Sequence, residues 1–174
     1  LGKGYELASD MNRALQTYKD ITLRTTNKND PWALKASERL SALLTPWLDA
    51  AIASRDDLTV VSLFHRHGAL AEQRYKHSPL LLDIAESHRR LGFSPEAIRL
   101  YQLVIKSHSD STVLESALIG LGKIYLDQRD PQAARKVLER YRFQFPIGKH
   151  EGEVVHLLID TMRQQSDLQG LLHL

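Results

Sequence analysis

The chain contains no cysteine, which excludes disulfides, thiolate nucleophiles and cysteine-based zinc sites together. Glycine and proline are scarce, nine and six among 174 residues, and this argues against a collagenous or low-complexity disordered chain. Charge of one sign is lacking too: 23 Lys and Arg face 21 Asp and Glu, so no whole-molecule field draws the chain towards nucleic acid. Aromatic residues make up only 7%, too thin a supply for a series of base-stacking rings. No apolar run approaches the roughly 20 residues that a membrane helix needs. No basic-then-apolar signal segment opens the sequence.

What is present points to helices. Hydrophobic residues make up 43%, enough for a chain of this length to bury a core, and Leu, Ala, Arg, Gln, Glu and Lys dominate, all strong helix formers. An all-α fold is expected. Apolar spacing and punctuation predict a helix ending near residue 8, then helices over 11–24, 31–54, 57–75, 78–91, 94–107, 112–128, 131–144 and 151–165, with a last fragment from Asp167. Residues 25–30 read as a polar loop. Four starts share one device, a capping side chain followed by proline: Asp30-Pro31, Ser78-Pro79, Ser94-Pro95 and Asp130-Pro131. Gly92 closes the helix before it. Within 31–54 the apolar stripe Leu40, Leu43, Leu44, Trp47, Leu48, Ala51 continues across Pro46. That segment is expected to be one long helix kinked near 45 or two abutting helices with Thr45-Pro46 as the cap pair.

The pattern repeats on a 37-residue lattice. A first-helix anchor falls at Trp47, Ile84, Leu121 and Leu158, with a companion at Leu44, Leu81, Leu118 and Val155. The second helix supplies Val60, Ala97 and Ala134, then Phe64, Tyr101 and Leu138. Small residues recur where helix backbones should cross closely: Ala85 and Gly122 at one crossing, Ala97 and Ala134 at the other. Glycine in mid-helix costs about 1 kcal/mol relative to alanine, so Gly122 is expected to serve close packing.

At these residues the chain resembles the tetratricopeptide repeat family. Leu118, Leu121-Gly122, Tyr125, Ala134 and Pro146 match the family pattern, as do Leu1-Gly2, Tyr5, Ala14 and Tyr18. The departures are a period of 37 instead of 34, placed most simply in the inter-repeat loops, and the bulky Tyr141 and Val104 at a usually small site. The resemblance implies a right-handed superhelical stack of antiparallel helix pairs, an α-solenoid. As a single repeat domain over 1–174 it divides into a partial unit at 1–30, the long helix at 31–54 opening a degenerate unit to 77, full units at 78–110 and 111–147, and a partial unit at 148–174. Because Leu1-Gly2 reads as the middle of a first helix, the segment is expected to come from a longer protein. Phe145-Pro146 is similar to repeat endings of bacterial envelope-assembly proteins, which implies an envelope setting, with the cytoplasm as the alternative.

Apparent catalytic motifs dissolve on spacing. Gly120-Leu121-Gly122-Lys123-Ile124 lacks the G-x-x-x-x-G-K-[ST] order of a phosphate loop and falls inside a helical pattern. His150 and His156 stand six apart, not the four that place two zinc ligands on one helix face, and His65 and His67 fail likewise. Ser107-His108-Ser109-Asp110 reads as a polar loop, not a triad. No metal, no cofactor and no catalytic group is therefore expected, and the chain is read as a non-enzyme. The basic stretch 65–90 could meet phosphates, but Glu72, Asp83 and Glu86 interrupt it, so a solvated face is the better reading and nucleic acid is disfavoured.

The most informative polar residues lie on the first helices, which line the concave groove in tetratricopeptide-like stacks. Glu86, Lys123 and Asp160 share one lattice position, Arg89 and Arg163 another, Arg90 and Asp127 a third. These seven residues are the expected contact set for a protein or peptide partner recognised in a mixed-charge groove. The competing and compatible reading is a ladder in which Glu86, Lys123 and Asp160 pair with one another. Leu82 and Glu86 stand where the family's carboxylate clamp would need Lys and Asn, which argues against that specialisation. A further alternative is self-assembly through the apolar ends, Leu1 to Leu7 and Leu168 to Leu174.

Overall fold

The computed structural model describes residues 1–7, 10–24 and 30–165. Among them the secondary structure is entirely helical, in nine α-helices: α1 (Gly2–Leu7), α2 (Met11–Arg24), α3 (Pro31–Ala53), α4 (Asp57–Tyr75), α5 (Leu80–Arg90), α6 (Ser94–Ser107), α7 (Ser111–Asp127), α8 (Pro131–Gln144) and α9 (Glu151–Gln165). None is long and apolar enough to cross a membrane. The expected fragment from Asp167, the apolar end at 168–174 and most of the expected loop at 25–30 lie outside the described residues. The chain forms two compact units, Leu1–Ala71 and Glu72–Leu174.

In the unit Leu1–Ala71, α2 packs on α1 and on α3. Ala14, Leu15 and Tyr18 of α2 are buried, as are Ala36, Leu40, Leu44, Leu48 and Ala51 of α3. Helix α3 runs unbroken across Pro46, so Thr45-Pro46 does not form a cap pair. The apolar stripe on both sides of the proline holds the two halves in one register. The interruption appears instead in α4, where His67 leaves helical geometry at φ −128° and ψ 24°. Bonds between residues distant in sequence sit next to that kink: the Lys19 ammonium donates to the Arg66 carbonyl, and the Arg66 guanidinium donates to Asn12 Oδ1 at 3.0 Å.

In the unit Glu72–Leu174, each helix from α5 to α9 packs on the next, and α5, α7 and α9 additionally touch along one layer through α7. Helix α7 is the centre of this unit. Ten of its residues are buried, from Val113 to Leu126, and its glycines explain how neighbours approach. A β-carbon on Gly122 would stand 2.8 Å from Leu138 Cδ2 of α8, and one on Gly120 2.5 Å from Tyr101 Cζ of α6. The first contact is the close crossing expected at Gly122. It has a counterpart in the other unit, where a β-carbon on Gly2 would stand 2.6 Å from Tyr18 Cζ, at the same sequence separation.

The 37-residue spacing is written into three turns. Arg55, Gly92 and Arg129 all adopt positive φ, at 55°, 79° and 57°. Each turn carries the same backbone bonds. Ser54, Leu91 and Gln128 donate to the carbonyls of Ala50, Ser87 and Ile124, and Asp56, Phe93 and Asp130 reach back one residue further, to Ala51, His88 and Tyr125. Such bonds satisfy the orphan carbonyls of a helix end around a left-handed residue. The residue after it becomes the N-cap of the next helix. Asp56 accepts from Thr59 N at 3.1 Å and Asp130 from Ala133 N at 3.0 Å. The expected Ser94-Pro95 cap is therefore displaced: Phe93 occupies the cap position without a side-chain bond, and Ser94 is already helical. At Ser78-Pro79, Ser78 Oγ accepts from Leu80 N at 3.3 Å while α5 begins only at Leu80.

Candidate functional site

The seven expected contact residues all lie in the unit Glu72–Leu174, on the helices of the touching layer: Glu86, Arg89 and Arg90 on α5, Lys123 and Asp127 on α7, Asp160 and Arg163 on α9. The structure divides them into two groups. Lys123, Asp127, Asp160 and Arg163 line one cleft of about 330 Å³ between α7 and α9, together with Leu126, Leu157 and Gln164. Glu86, Arg89 and Arg90 form a separate cluster on the last turns of α5.

That α5 cluster is tightly bonded. Arg89 Nε donates to both Glu86 oxygens at 3.1 Å, Arg90 lies 3.7 Å from the same carboxylate, and the Tyr101 hydroxyl of α6 donates to Glu86 Oε2. Burial would raise the Glu86 pKa, but hydrogen bonds from Arg89 and Tyr101, with the charges of Arg89 and Arg90, outweigh it and hold the carboxyl below its ordinary range. Burial, then the bond to Glu86, push the Tyr101 phenol well above its usual value. With its carboxylate saturated by neighbours, Glu86 is a structural tie between α5 and α6.

The α7–α9 cleft is looser and more open. Lys123 Nζ sits 2.7 Å from Glu153 Oε1, in a pair whose side chains are 35% and 41% exposed. His150 Nδ1 approaches the same carboxylate at 3.6 Å. Arg163 meets Asp160 at 3.8 Å, with both side chains more than half exposed. Asp127 makes no ion pair among the described residues. The cleft thus presents one unengaged carboxylate, one weakly held guanidinium and one lysine, over the apolar edges of Leu126 and Leu157. Exposed pairs of this kind contribute about 0 to 1 kcal/mol, so breaking them costs the fold little.

No ion pair among the described residues joins Glu86, Lys123 and Asp160 to one another. The ladder gives way to shorter-range options. Glu86 and Asp160 each find an arginine three residues ahead on their own helix, where side chains are neighbours, and Lys123 crosses to Glu153. Sequence reasoning missed Glu153, Leu157 and Gln164 because a fixed lattice pairs equivalent positions and not diagonal ones. It also missed Tyr101 as the donor to Glu86, although the recurrence of a ring at 18, 64 and 101 was visible.

Other expected polar groups lie apart from the cleft. His65, Arg66 and His67 belong to α4, and His108 follows α6. No cluster of three or more potential metal ligands occurs among the described residues. Compared with protein-family models, curated proteins and solved structures, the chain has no match.

Proposed function

We propose that the chain is a tetratricopeptide-like α-solenoid that serves as a non-catalytic scaffold, binding a segment of a partner protein along the layer formed by α5, α7 and α9. The observation that carries this reading is the cleft in which Lys123, Asp127, Asp160 and Arg163 converge. Their mixed signs, and the exposure of Asp127, Asp160 and Arg163, suit recognition of a polar segment carrying both charges, with Leu126 and Leu157 receiving its apolar atoms. Two further observations support the repeat architecture: the three turns at Arg55, Gly92 and Arg129 share one geometry at a 37-residue spacing, and alternate helices touch along one layer.

The test replaces Lys123 and Arg163 with Glu together and compares the proteins captured from a lysate of the source organism after cross-linking. Loss of a partner that the wild type retains is expected. A wild-type partner captured equally by the variant would overturn the reading.

Self-association is a second reading, favoured by one observation in the unit Leu1–Ala71. Trp32 is 76% exposed and lines a cavity of about 570 Å³ with Tyr18 and Ile21. Sedimentation equilibrium of the wild type against Trp32→Ser distinguishes it: a concentration-dependent mass that the substitution abolishes supports self-association, and a monomer throughout removes it.

A further inference from the structure

The unit Glu72–Leu174 carries a second concave surface, walled by two helices that the α7–α9 cleft does not use. Helices α6 and α8 both pack on α7 but not on each other, so a trench of about 600 Å³ opens between them. Leu121 and Tyr125 of α7 form its floor, and Ile105 of α6 and Val137 of α8 form its walls. Ile105 and Val137 are half-buried and rest on the core around Leu118 and Leu138, so this lining is firm.

The rim is of one sign. Lys106 on α6 and Lys136 and Arg140 on α8 are exposed and line the trench, and no acidic residue does. Some cations elsewhere on this unit are engaged, Arg99 with Glu72 and Glu96, Arg135 with Glu139 and Lys123 with Glu153. Lys106, Lys136 and Arg140 make no ion pair among the described residues. The Tyr125 hydroxyl likewise has no hydrogen-bond partner among them.

We propose that this trench docks an acidic amphipathic helix of a partner protein, its apolar stripe on Tyr125, Ile105 and Val137 and its carboxylates on Lys106, Lys136 and Arg140. Charge complementarity selects the sign of the partner. Geometry selects its form. The walls are helices whose backbone groups are bonded internally, so no strand edge is offered and recognition runs through side chains. Lys136 and Arg140 stand one turn apart, about 6 Å along the helix, the spacing of carboxylates four residues apart on a facing helix. A flat bilayer cannot enter a trench, and a single ring at the floor cannot stack a run of bases.

The probe is a fluorescein-labelled 14-residue helical peptide with Leu at positions i, i+3, i+4 and i+7 and Glu on its flanks, measured by anisotropy against the whole chain. A second peptide carries Lys in place of every Glu. The wild type is expected to bind the acidic peptide, more weakly as salt rises, and not the basic one. Lys106→Glu, Lys136→Glu and Arg140→Glu together are expected to lower affinity for the acidic peptide at least tenfold and to admit the basic one. Lys123→Glu with Arg163→Glu should leave the acidic peptide's affinity unchanged, which separates this site from the α7–α9 cleft. The single Lys136→Glu variant, with its helicity checked by circular dichroism, covers the case in which the triple reversal fails to fold. Equal binding of both peptides, no binding of either, unchanged affinity in the reversed variants, or binding only to anionic phosphatidylglycerol vesicles would each overturn the proposal.

Discussion

Gly120 of α7 lies beneath the ring of Tyr101 of α6, so close that a β-carbon at residue 120 would stand 2.5 Å from Tyr101 Cζ. The ring is fully buried, and its hydroxyl is held by Glu86, so it cannot swing away. Gly120→Ala is therefore expected to destabilise the protein by about 1 to 3 kcal/mol through overpacking, despite the better helix propensity of alanine. Gly152, in the first turn of α9, meets nothing within 4 Å; Gly152→Ala should gain about 0.5 kcal/mol. Urea unfolding of the two variants checks the opposite signs.

The left-handed turns make a second pair. A β-carbon at Gly92 meets nothing within 4 Å, so Gly92→Ala isolates the backbone cost of positive φ, about 1 kcal/mol. The reverse holds at Arg129, where φ is 57°: Arg129→Gly should stabilise by up to about 1 kcal/mol. Equal midpoints for wild type and Arg129→Gly in chemical denaturation would count against the left-handed assignment.

Caps differ between otherwise equivalent turns. Asp130 accepts from Ala133 N, and Asp110 accepts from Thr112 N at 2.8 Å; replacing either with Ala should cost about 1 kcal/mol. Ser94 sits where a cap reads naturally in the sequence, yet it lies inside α6, and Ser94→Ala should stay within about 0.5 kcal/mol of wild type.

His67 supplies a pH dependence. Burial first, then the neighbouring charges of Lys19 and Arg66, lower its pKa from 6.5 to about 4, and its Nδ1 finds no hydrogen-bond partner among the described residues. The folded form therefore holds this ring neutral where the unfolded chain protonates it. Stability is complete above pH 6.5 and falls as pH drops towards 4, by a few kcal/mol. Thermal unfolding between pH 7 and 4.5 should show that decline, and His67→Leu should flatten it. A wild-type melting temperature constant over that range would contradict the neutral ring.

If the proposed function holds, Lys123 should separate binding from folding. Its pair with Glu153 is partly exposed on both sides, so Lys123→Ala should change stability by less than about 1 kcal/mol. Partner capture should nevertheless weaken. A loss of stability as large as the loss of binding would mean that the residue acts through the fold.

Helix positions were legible because period and punctuation agree: Asp30-Pro31 and Asp130-Pro131 begin α3 and α8 as read from the residues. Gly122 was legible as a crossing because the lattice repeats a small residue there, at Ala85. Gly120 was not, since its neighbour Tyr101 comes from the preceding helix pair, and a lattice of equivalent positions says nothing of contacts between unlike ones. The same limit hid Glu153 behind Lys123. Pro46 was misleading in its local chemistry, because the buried stripe from Leu40 to Ala51 keeps α3 continuous. Arg55 and Arg129 carry no sign of positive φ by themselves; only their distance of one repeat from Gly92 reveals it.

The shared turn geometry bears on how such a chain can change its length. Residues 93–129 begin just after one left-handed residue and end on the next. Copying that segment in tandem would join Arg129 to Phe93, reproducing at the seam the turn that Gly92 already makes into Phe93. At the level of the backbone turn, adding or removing such a segment thus calls for no new geometry at the seam.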